Sequence, residues 1–213
     1  MKENRTYIIG VDLGGTYVRL GVVSGDGRVF MEQFFFTPPS YEELLRTLIL
    51  RCRHYVNFYP VLGVGIGVAG QVCADRKRLL LAPNLGWKDV AMAEDLESAI
   101  RLPVLLENDV RAIAFGEWLY GSGRGYTDLL CLVVGTGVGA GIIQNCRLVK
   151  GYTHTYGEVG HMCLELGGMS CRCGAEGCVE TFLGGWGLVK RAQHEGLFVT
   201  SAQEVGSLYH SSD

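Results

Sequence analysis

The sequence predicts a mixed α/β protein made of two related halves that face one cleft. Short apolar segments with the length of β-strands are interspersed with segments of helical periodicity. In addition, one pattern of strand, Gly-Thr turn, strand, turn and strand occurs twice, first in "YIIGVDLGGTYVRLGVVSGDGRVF" and again in "DLLCLVVGTGVGAGIIQNCRLVKG". Such an internal duplication is typical of two halves with the same fold. A chance likeness between two glycine-interrupted hairpins is the alternative.

The first half begins with three predicted strands and a helix. The strands cover residues 7–11, 17–23 and 28–36, and the "SGDG" sequence between the last two is typical of a hairpin turn. Ser40 and Glu43 have the spacing of a capping box at the start of a helix. Apolar residues then recur at helical spacing, which predicts a helix to about residue 58.

Strand and helix predictions alternate through the rest of the first half. We predict a buried strand at 61–70, a helix at 91–100, a strand at 103–109 and a helix at 110–120. The following "GSGRG" reads as a hinge-like linker. We therefore expect an N-terminal α/β domain of residues 1–121, and the start of a second α/β domain in residues 122–213.

Composition excludes several classes of protein. The chain has 213 residues and a formal net charge of −3, with no basic stripe, which argues against a nucleic-acid partner. No stretch of about 18 apolar residues predicts a membrane span, and the first 15 residues do not resemble a signal peptide. We therefore expect a cytoplasmic protein whose eight cysteines do not form disulfides.

Two glycine turns are candidates for binding phosphate. "DLGGT" (12–16) lies between two predicted strands, so it is neither a Rossmann fingerprint nor a Walker loop. Its glycines would let backbone N–H groups approach an anion, and Asp12 could hold Mg²⁺ through water. "GTGVG" (135–139) offers the same chemistry in the second half. A facing pair could hold a nucleoside triphosphate, although tight hairpins use the same residue types.

Two polar segments are candidates for binding a polyol. "END" (107–109) ends a predicted strand, where α/β sheets usually place ligands. Asn108 can both donate and accept hydrogen bonds, and Asp109 is either a general base or the N-cap of the next helix. Asn84 lies near Trp87 in "APNLGW", a pairing that suits a sugar, while an Asn-capped turn is the alternative.

One histidine and three cysteines are candidates for a metal site. His161, Cys171, Cys173 and Cys178 lie within eighteen positions, and Zn²⁺ in structural sites takes four nitrogen or sulfur ligands. The glycines between the cysteines would let a short loop fold back on the ion. Because all four positions are filled, the predicted zinc is structural. Redox sensing and chance are the alternatives.

These motifs together resemble the ROK family of sugar kinases and repressors, within the actin-like ATPase fold. The resemblance rests on "DLGGTYVR", "APNLGW", "ENDVRA", "GTGVGAG", "GEVGH" and "CRCGAEGCVE" in that order. Within that family, the chain is most similar to bacterial glucokinases. The resemblance implies ATP- and Mg²⁺-dependent phosphorylation of a hexose at its 6-hydroxyl, with Asp109 as the base.

The resemblance also implies roles for further residues. The sugar hydroxyls would be held by Asn84, Asn108, Asp109, Glu158, His161 and Glu180. The phosphates and Mg²⁺ would be held by Asp12, Gly14, Gly15, Thr16, Gly135, Thr136 and Gly137. The zinc loop would present His161 and Glu180 to the sugar, so loss of the metal would loosen the sugar site without affecting the ATP turns. The resemblance to the family also makes a homodimer plausible.

Several expectations remain open at this point. Kinases of the family are usually longer, and the segment expected to hold adenosine is not found, which suggests a fragment, a truncated product or a short form. Family repressors carry an N-terminal helix-turn-helix, whereas this chain begins on its first strand, so we do not expect DNA binding. A sugar-binding chain without catalysis is the other alternative. Glucose is the first candidate substrate, followed by N-acetylhexosamines, fructose and allose.

Overall fold

The computed structural model describes residues 6–210, which divide into two compact units. The first unit runs to Tyr126 and also includes the segment Lys150–Thr155. The second unit contains Thr127–Val149 and the chain from Tyr156 onward. Lys150–Thr155 thus belongs to the first unit, although the predicted second domain includes those residues.

The strands of the first unit are β1 (Tyr7–Leu13), β2 (Tyr17–Ser24), β3 (Val29–Phe36), β4 (Val61–Val68), β5 (Gln71–Val72), β6 (Leu79–Ala82), β7 (Trp87–Val90) and β8 (Val104–Asn108). Five of them form a sheet with the order β3-β2-β1-β4-β8. β1 pairs antiparallel with β2 and parallel with β4, and β4 pairs parallel with β8. The helices of this unit are α1 (Tyr41–Val56), α2 (Met92–Ile100) and α3 (Asp109–Tyr120).

The core of this unit follows from the alternation that the sequence shows. Ile9, Val11 and Leu13 of β1 are buried on one face of the sheet, because successive strand residues point to opposite faces. The hydroxyl of Ser40 accepts a hydrogen bond from the Glu43 N–H (3.2 Å), which confirms the predicted N-cap of α1. The buried residues of α1 are Leu44, Leu48, Cys52 and Tyr55.

A second sheet in the first unit was not predicted. It is three-stranded, with the order β5-β6-β7. Its strands have only two to four residues each, which is too short for a clear period-two pattern. A 3₁₀ helix, Pro83–Leu85, joins β6 to β7 and carries Asn84.

The second unit repeats the opening of the first. β9 (Leu129–Val134), β10 (Val138–Gln144) and β11 (Arg147–Leu148) form an antiparallel sheet with the order β11-β10-β9. This matches the order of β3-β2-β1, as the duplicated sequence pattern predicts. After a long loop with a 3₁₀ turn at Val159–His161, three helices follow: α4 (Glu180–Leu183), α5 (Gly185–His194) and α6 (Ala202–His210).

In the part of the chain that the structure describes, no helix combines the length and the apolar character needed to cross a bilayer.

Candidate active site

The first glycine turn leaves two backbone donors open. The N–H of Gly14 closes the hairpin by donating to the Tyr17 carbonyl (3.0 Å), and the Thr37 hydroxyl donates to the Gly14 carbonyl (2.7 Å). Within residues 6–210, no hydrogen bond uses the N–H of Gly15 or of Thr16. Both residues are exposed, so their N–H groups are available to an anion.

The second glycine turn has the same arrangement. The N–H of Gly135 donates to the Gly137 carbonyl (2.9 Å), which closes the hairpin. The N–H groups of Thr136 and Gly137 have no acceptor among the described residues. Each half of the duplicated pattern therefore presents two adjacent open N–H groups beside a threonine, which is suited to phosphate oxygens.

Asp109 is the first residue of α3, and its carboxylate is partly buried. The side chain of Asn108, not of Asp109, caps the helix, by accepting a hydrogen bond from the Arg111 N–H (3.1 Å). The N–H of Val110 donates to Asp109 Oδ1 (2.9 Å). Burial raises the pKa of Asp109, against these N–H groups and the charge of Arg111, which lower it.

Asp12 lies close enough to Asp109 for their charges to interact. Loss of solvation is the main cause that raises the pKa of Asp12, even though part of its side chain stays exposed. The negative charge of Asp109 raises the pKa further, and Arg19 opposes it. Because the charge of Asp109 disfavours the ionised form of Asp12, a divalent cation beside Asp12 would relieve this repulsion.

Asn84 is brought beside the first glycine turn. Gly15 lacks a Cβ, and a Cβ built there would lie 3.3 Å from both the Cβ and the carbonyl oxygen of Asn84. Asn84 is exposed and lies inside the 3₁₀ helix, whose N-cap is Ala82. The alternative that Asn84 caps this turn is therefore wrong.

Glu107 is a further component of this site that was not among the predicted residues. Its buried carboxylate pairs with three cations: Arg111 Nε (2.9 Å), Lys150 Nζ (3.0 Å) and Arg76 Nε (3.7 Å). Burial alone would raise the pKa of Glu107, but the hydrogen bond from Lys150 and the charge of Arg111 outweigh it and hold the pKa low. The only sequence signal that could have indicated Glu107 is its position in the "END" motif, next to Asn108 and Asp109.

Glu107 and its partners Arg76, Arg111 and Lys150 fix the segment that contains Asn108 and Asp109. Arg111 is 3% exposed, and its guanidinium also donates to the His154 carbonyl. Lys150 and His154 both belong to the segment Lys150–Thr155, which joins the first unit. One ion pair, to Glu107, and one hydrogen bond, from Arg111, therefore hold this segment against the end of β8 and the start of α3.

In the second unit, the four predicted metal ligands converge. One ligand atom from each of His161, Cys171, Cys173 and Cys178 lies within 4.8 Å of all the others. The Cys173 and Cys178 sulfurs are 3.7 Å apart, close to the edge of about 3.8 Å in a tetrahedron of ~2.3 Å Zn–S bonds. The N–H of Ala175 is the main cause that lowers the pKa of Cys173, whereas burial is the main cause that raises the pKa of Cys178. The donor set fits zinc.

Glycines shape the loop of residues 161–178 that carries these four ligands, called the metal loop below, as predicted. Gly174 and Gly177 have φ values of +94° and +66°, in the left-handed region. A Cβ on Gly177 would lie 1.6 Å from the Glu165 carbonyl oxygen, so only glycine fits there. The chain can therefore double back between Cys173 and Cys178.

The other predicted residues of the second unit have different surroundings. Glu158 is exposed next to the 3₁₀ turn that carries His161. Glu180 begins α4, and its carboxylate accepts hydrogen bonds from the Val138 N–H (3.0 Å) and the Trp186 indole N–H (2.9 Å). Glu180 therefore contacts the second glycine turn directly, a contact that the sequence analysis did not predict.

The fold and its two glycine turns define an actin-like α/β protein, and comparison with known proteins identifies its family. The chain is 34% identical over 197 residues to the glucokinase of Streptomyces coelicolor. This alignment covers 92% of this chain and 62% of that protein. The chain is also 27% identical over 213 residues to the xylose repressor of Bacillus subtilis, covering 97% and 55% of the two chains.

A solved structure agrees with this result. The crystal structure of a ROK family glucokinase from Streptomyces griseus, in complex with glucose and AMPPNP, superposes with a TM-score of 0.78 at 37% identity. The match covers 88% of this chain and 60% of that one. The model of the ROK family matches residues 8–213, and this chain belongs to that family. It spans about three fifths of the length of the glucokinases that it matches.

Proposed function

We propose that this chain phosphorylates a hexose at its 6-hydroxyl with ATP, and that glucose is its preferred substrate. The observation that carries the proposal is the placement of Asp109. It is a partly buried carboxylate of raised pKa at the start of a helix, two residues after the ion-paired Glu107, and its charge acts on a second carboxylate, that of Asp12. The relatives named glucokinase support the choice of reaction and sugar.

Asp109 would act as the general base. Its ionised carboxylate would accept the proton of the attacking hydroxyl, and the raised pKa makes it a stronger base than an exposed aspartate. The Asn108 amide donates to the Gly70 carbonyl (3.3 Å) and its oxygen caps α3, so its side chain is oriented before any sugar binds. That preorganisation suits a residue that positions a polyol.

Phosphoryl transfer depends mainly on positioning and on neutralising charge. The open N–H groups of Gly15 and Thr16, and those of Thr136 and Gly137, would bind phosphate oxygens. Asp12 would hold Mg²⁺, which when bound neutralises phosphate charge. Glu158, His161 and Glu180 stay predicted contacts of the sugar.

The test of this proposal is ADP formation by the 213-residue chain with Mg-ATP and a panel of hexoses. We expect turnover that depends on the hexose, with glucose giving the highest kcat/KM, because relatives of this chain at 34% and 37% identity are named glucokinases. N-acetylmannosamine, N-acetylglucosamine, fructose and allose complete the panel. A folded, zinc-loaded chain that releases no ADP with any of these sugars would contradict the proposal.

The second candidate function is sugar binding without catalysis. It is favoured by the similarity to the xylose repressor along 97% of this chain. Calorimetry with glucose and with xylose distinguishes the two candidates. Binding of a sugar without ADP formation would support this second function.

We further propose that His161, Cys171, Cys173 and Cys178 bind one structural zinc ion. Purified chain should contain about one equivalent of zinc, because the four ligand atoms already converge. Cys173→Ser should lose it. Cys163→Ser is the matched control, since Cys163 is an exposed cysteine of the same loop outside the four. Metal analysis and the Co²⁺–thiolate absorption band measure both variants, and equal zinc contents would contradict the site.

A further inference from the structure

Glu180 connects the metal loop to the second glycine turn. It follows Cys178 by two residues, and its carboxylate accepts the N–H of Val138, a residue of that turn (3.0 Å). A Cβ on Gly137 would lie 2.5 Å from Glu180 Oε2. The absence of a side chain at Gly137 therefore permits this close approach of the carboxylate.

Trp186 extends the connection back to the metal loop. Its indole N–H donates to the other oxygen of Glu180 (2.9 Å). The guanidinium of Arg172, which lies between Cys171 and Cys173 in sequence, stacks over the Trp186 ring at 4.8 Å. The loop thus reaches the glycine turn by two routes, through Cys178 to Glu180 and through Arg172 and Trp186.

Backbone N–H groups at the start of α5 donate hydrogen bonds to carbonyl groups of the same turn. The N–H of Gly185 donates to the Gly135 carbonyl (2.8 Å), and the N–H of Trp186 donates to the Thr136 carbonyl (3.4 Å). With these carbonyls occupied on one side, the N–H groups of Thr136 and Gly137 remain open for a ligand. The position of α4 and α5 therefore sets the position of the open donors.

Thr181 links Cys178 rigidly to α4. Its side chain is fully buried, and both its N–H (2.9 Å) and its hydroxyl (2.7 Å) donate to the Cys178 carbonyl. A change in the position of Cys178 would therefore move the helix that begins with Glu180. This coupling is local and runs through contiguous hydrogen bonds.

We infer that Glu180, Trp186 and Arg172 are positioning residues that couple the metal loop to the second glycine turn. Occupancy of the metal site then sets the geometry of Thr136, Gly137 and Val138, and with it the affinity for the phosphates of a nucleotide. This differs from the expectation from sequence that metal loss would affect the sugar site alone. The coupling itself does not depend on the proposed function. Only the identification of the bound anion as a nucleotide phosphate rests on it.

The coupling is tested by amide hydrogen exchange of residues 135–138 in zinc-loaded and chelated chain. Chelation should speed exchange of the Val138 N–H about tenfold, since the charge-assisted bond to Glu180 is weakened. Glu180→Gln should act similarly with zinc still bound, because an amide has only one oxygen for two N–H donors. Arg172→Gln is a milder variant, and Arg147→Gln on exposed β11 is the control.

Binding of Mg-AMPPNP, measured by calorimetry in the same samples, separates this inference from the proposed function. We expect chelation and Glu180→Gln to weaken that binding. Unchanged exchange at 135–138 after complete zinc removal overturns the coupling. Faster exchange in a chain that binds no Mg-AMPPNP in any form upholds the coupling and rejects the nucleotide assignment.

Discussion

Replacing Asp109 by Asn should lower kcat for hexose phosphorylation by about 10²- to 10⁴-fold, the usual contribution of a general base. Asn has the same shape and its oxygen can still accept the Val110 N–H, so the start of α3 should be preserved. An amide cannot take the hydroxyl proton. The loss should therefore appear in kcat, with little change in the affinity for nucleotide, in a coupled assay of ADP release.

Asp128→Asn is the matched control for this variant. Asp128 is also a carboxylate that accepts a backbone N–H, from Asn145 (3.0 Å), but it is exposed and lies outside the proposed site. Its activity should equal that of the unsubstituted chain. If Asp109→Asn retained full kcat, Asp109 would not be the base, and the reaction would need another proton acceptor.

The pH profile should show the environment of Asp109. Only the ionised carboxylate acts as a base, so kcat/KM should fall as the pH falls through the pKa of Asp109. Burial raises that pKa above the ordinary value of 3.8, and the acid limb should therefore lie above the range of an exposed aspartate. An acid limb at or below pH 3.8 would show that burial does not govern Asp109.

Much of the site could be predicted from the sequence because its signals are local. The glycine turns need particular backbone conformations between strands, so "DLGGT" and "GTGVG" are visible as short motifs. The metal ligands also lie close in sequence, and Gly174 and Gly177 are needed for the loop to fold back. The alternative in which Asp109 caps α3 differs from the structure by one residue, because Asn108 is the cap and both residue types are good N-caps.

Long-range contacts account for what the sequence could not predict. Arg76 and Lys77 pair with Glu107 and Glu97, which lie 31 and 20 positions later in the sequence. Lys150 reaches the same Glu107 from a segment that follows β11. No periodicity or spacing rule reads such pairs, since they depend on how the strands are ordered in the sheet.

Replacing Glu107 by Gln should destabilise the first unit by about 3 kcal/mol, as expected when a buried ion pair loses one partner. Arg111 is 3% exposed and would keep its charge away from water with only neutral acceptors. Lys150 would also lose its carboxylate (3.0 Å), which loosens the segment that it anchors. Urea unfolding, followed by tryptophan fluorescence, measures the change.

The matched control is Glu94→Gln, which also removes a carboxylate from an arginine. Arg78 Nη1 lies 3.4 Å from Glu94 Oε2 and both side chains are exposed, so the cost should stay within about 1 kcal/mol. Equal losses in the two variants would show that the burial of Glu107 does not decide its contribution.

The effect of Glu107→Gln should also depend on pH in a defined direction. The pKa of Glu107 is lower in the folded chain than its ordinary value of 4.5, so its ionised form stabilises the fold. That stabilisation is fully present above the unfolded pKa and is lost as the pH falls through the lower folded value. The difference between the variant and the unsubstituted chain should therefore be constant near neutral pH and shrink below about pH 4.5. A difference that grew with acidification would mean that the three cations do not hold the pKa of Glu107 down.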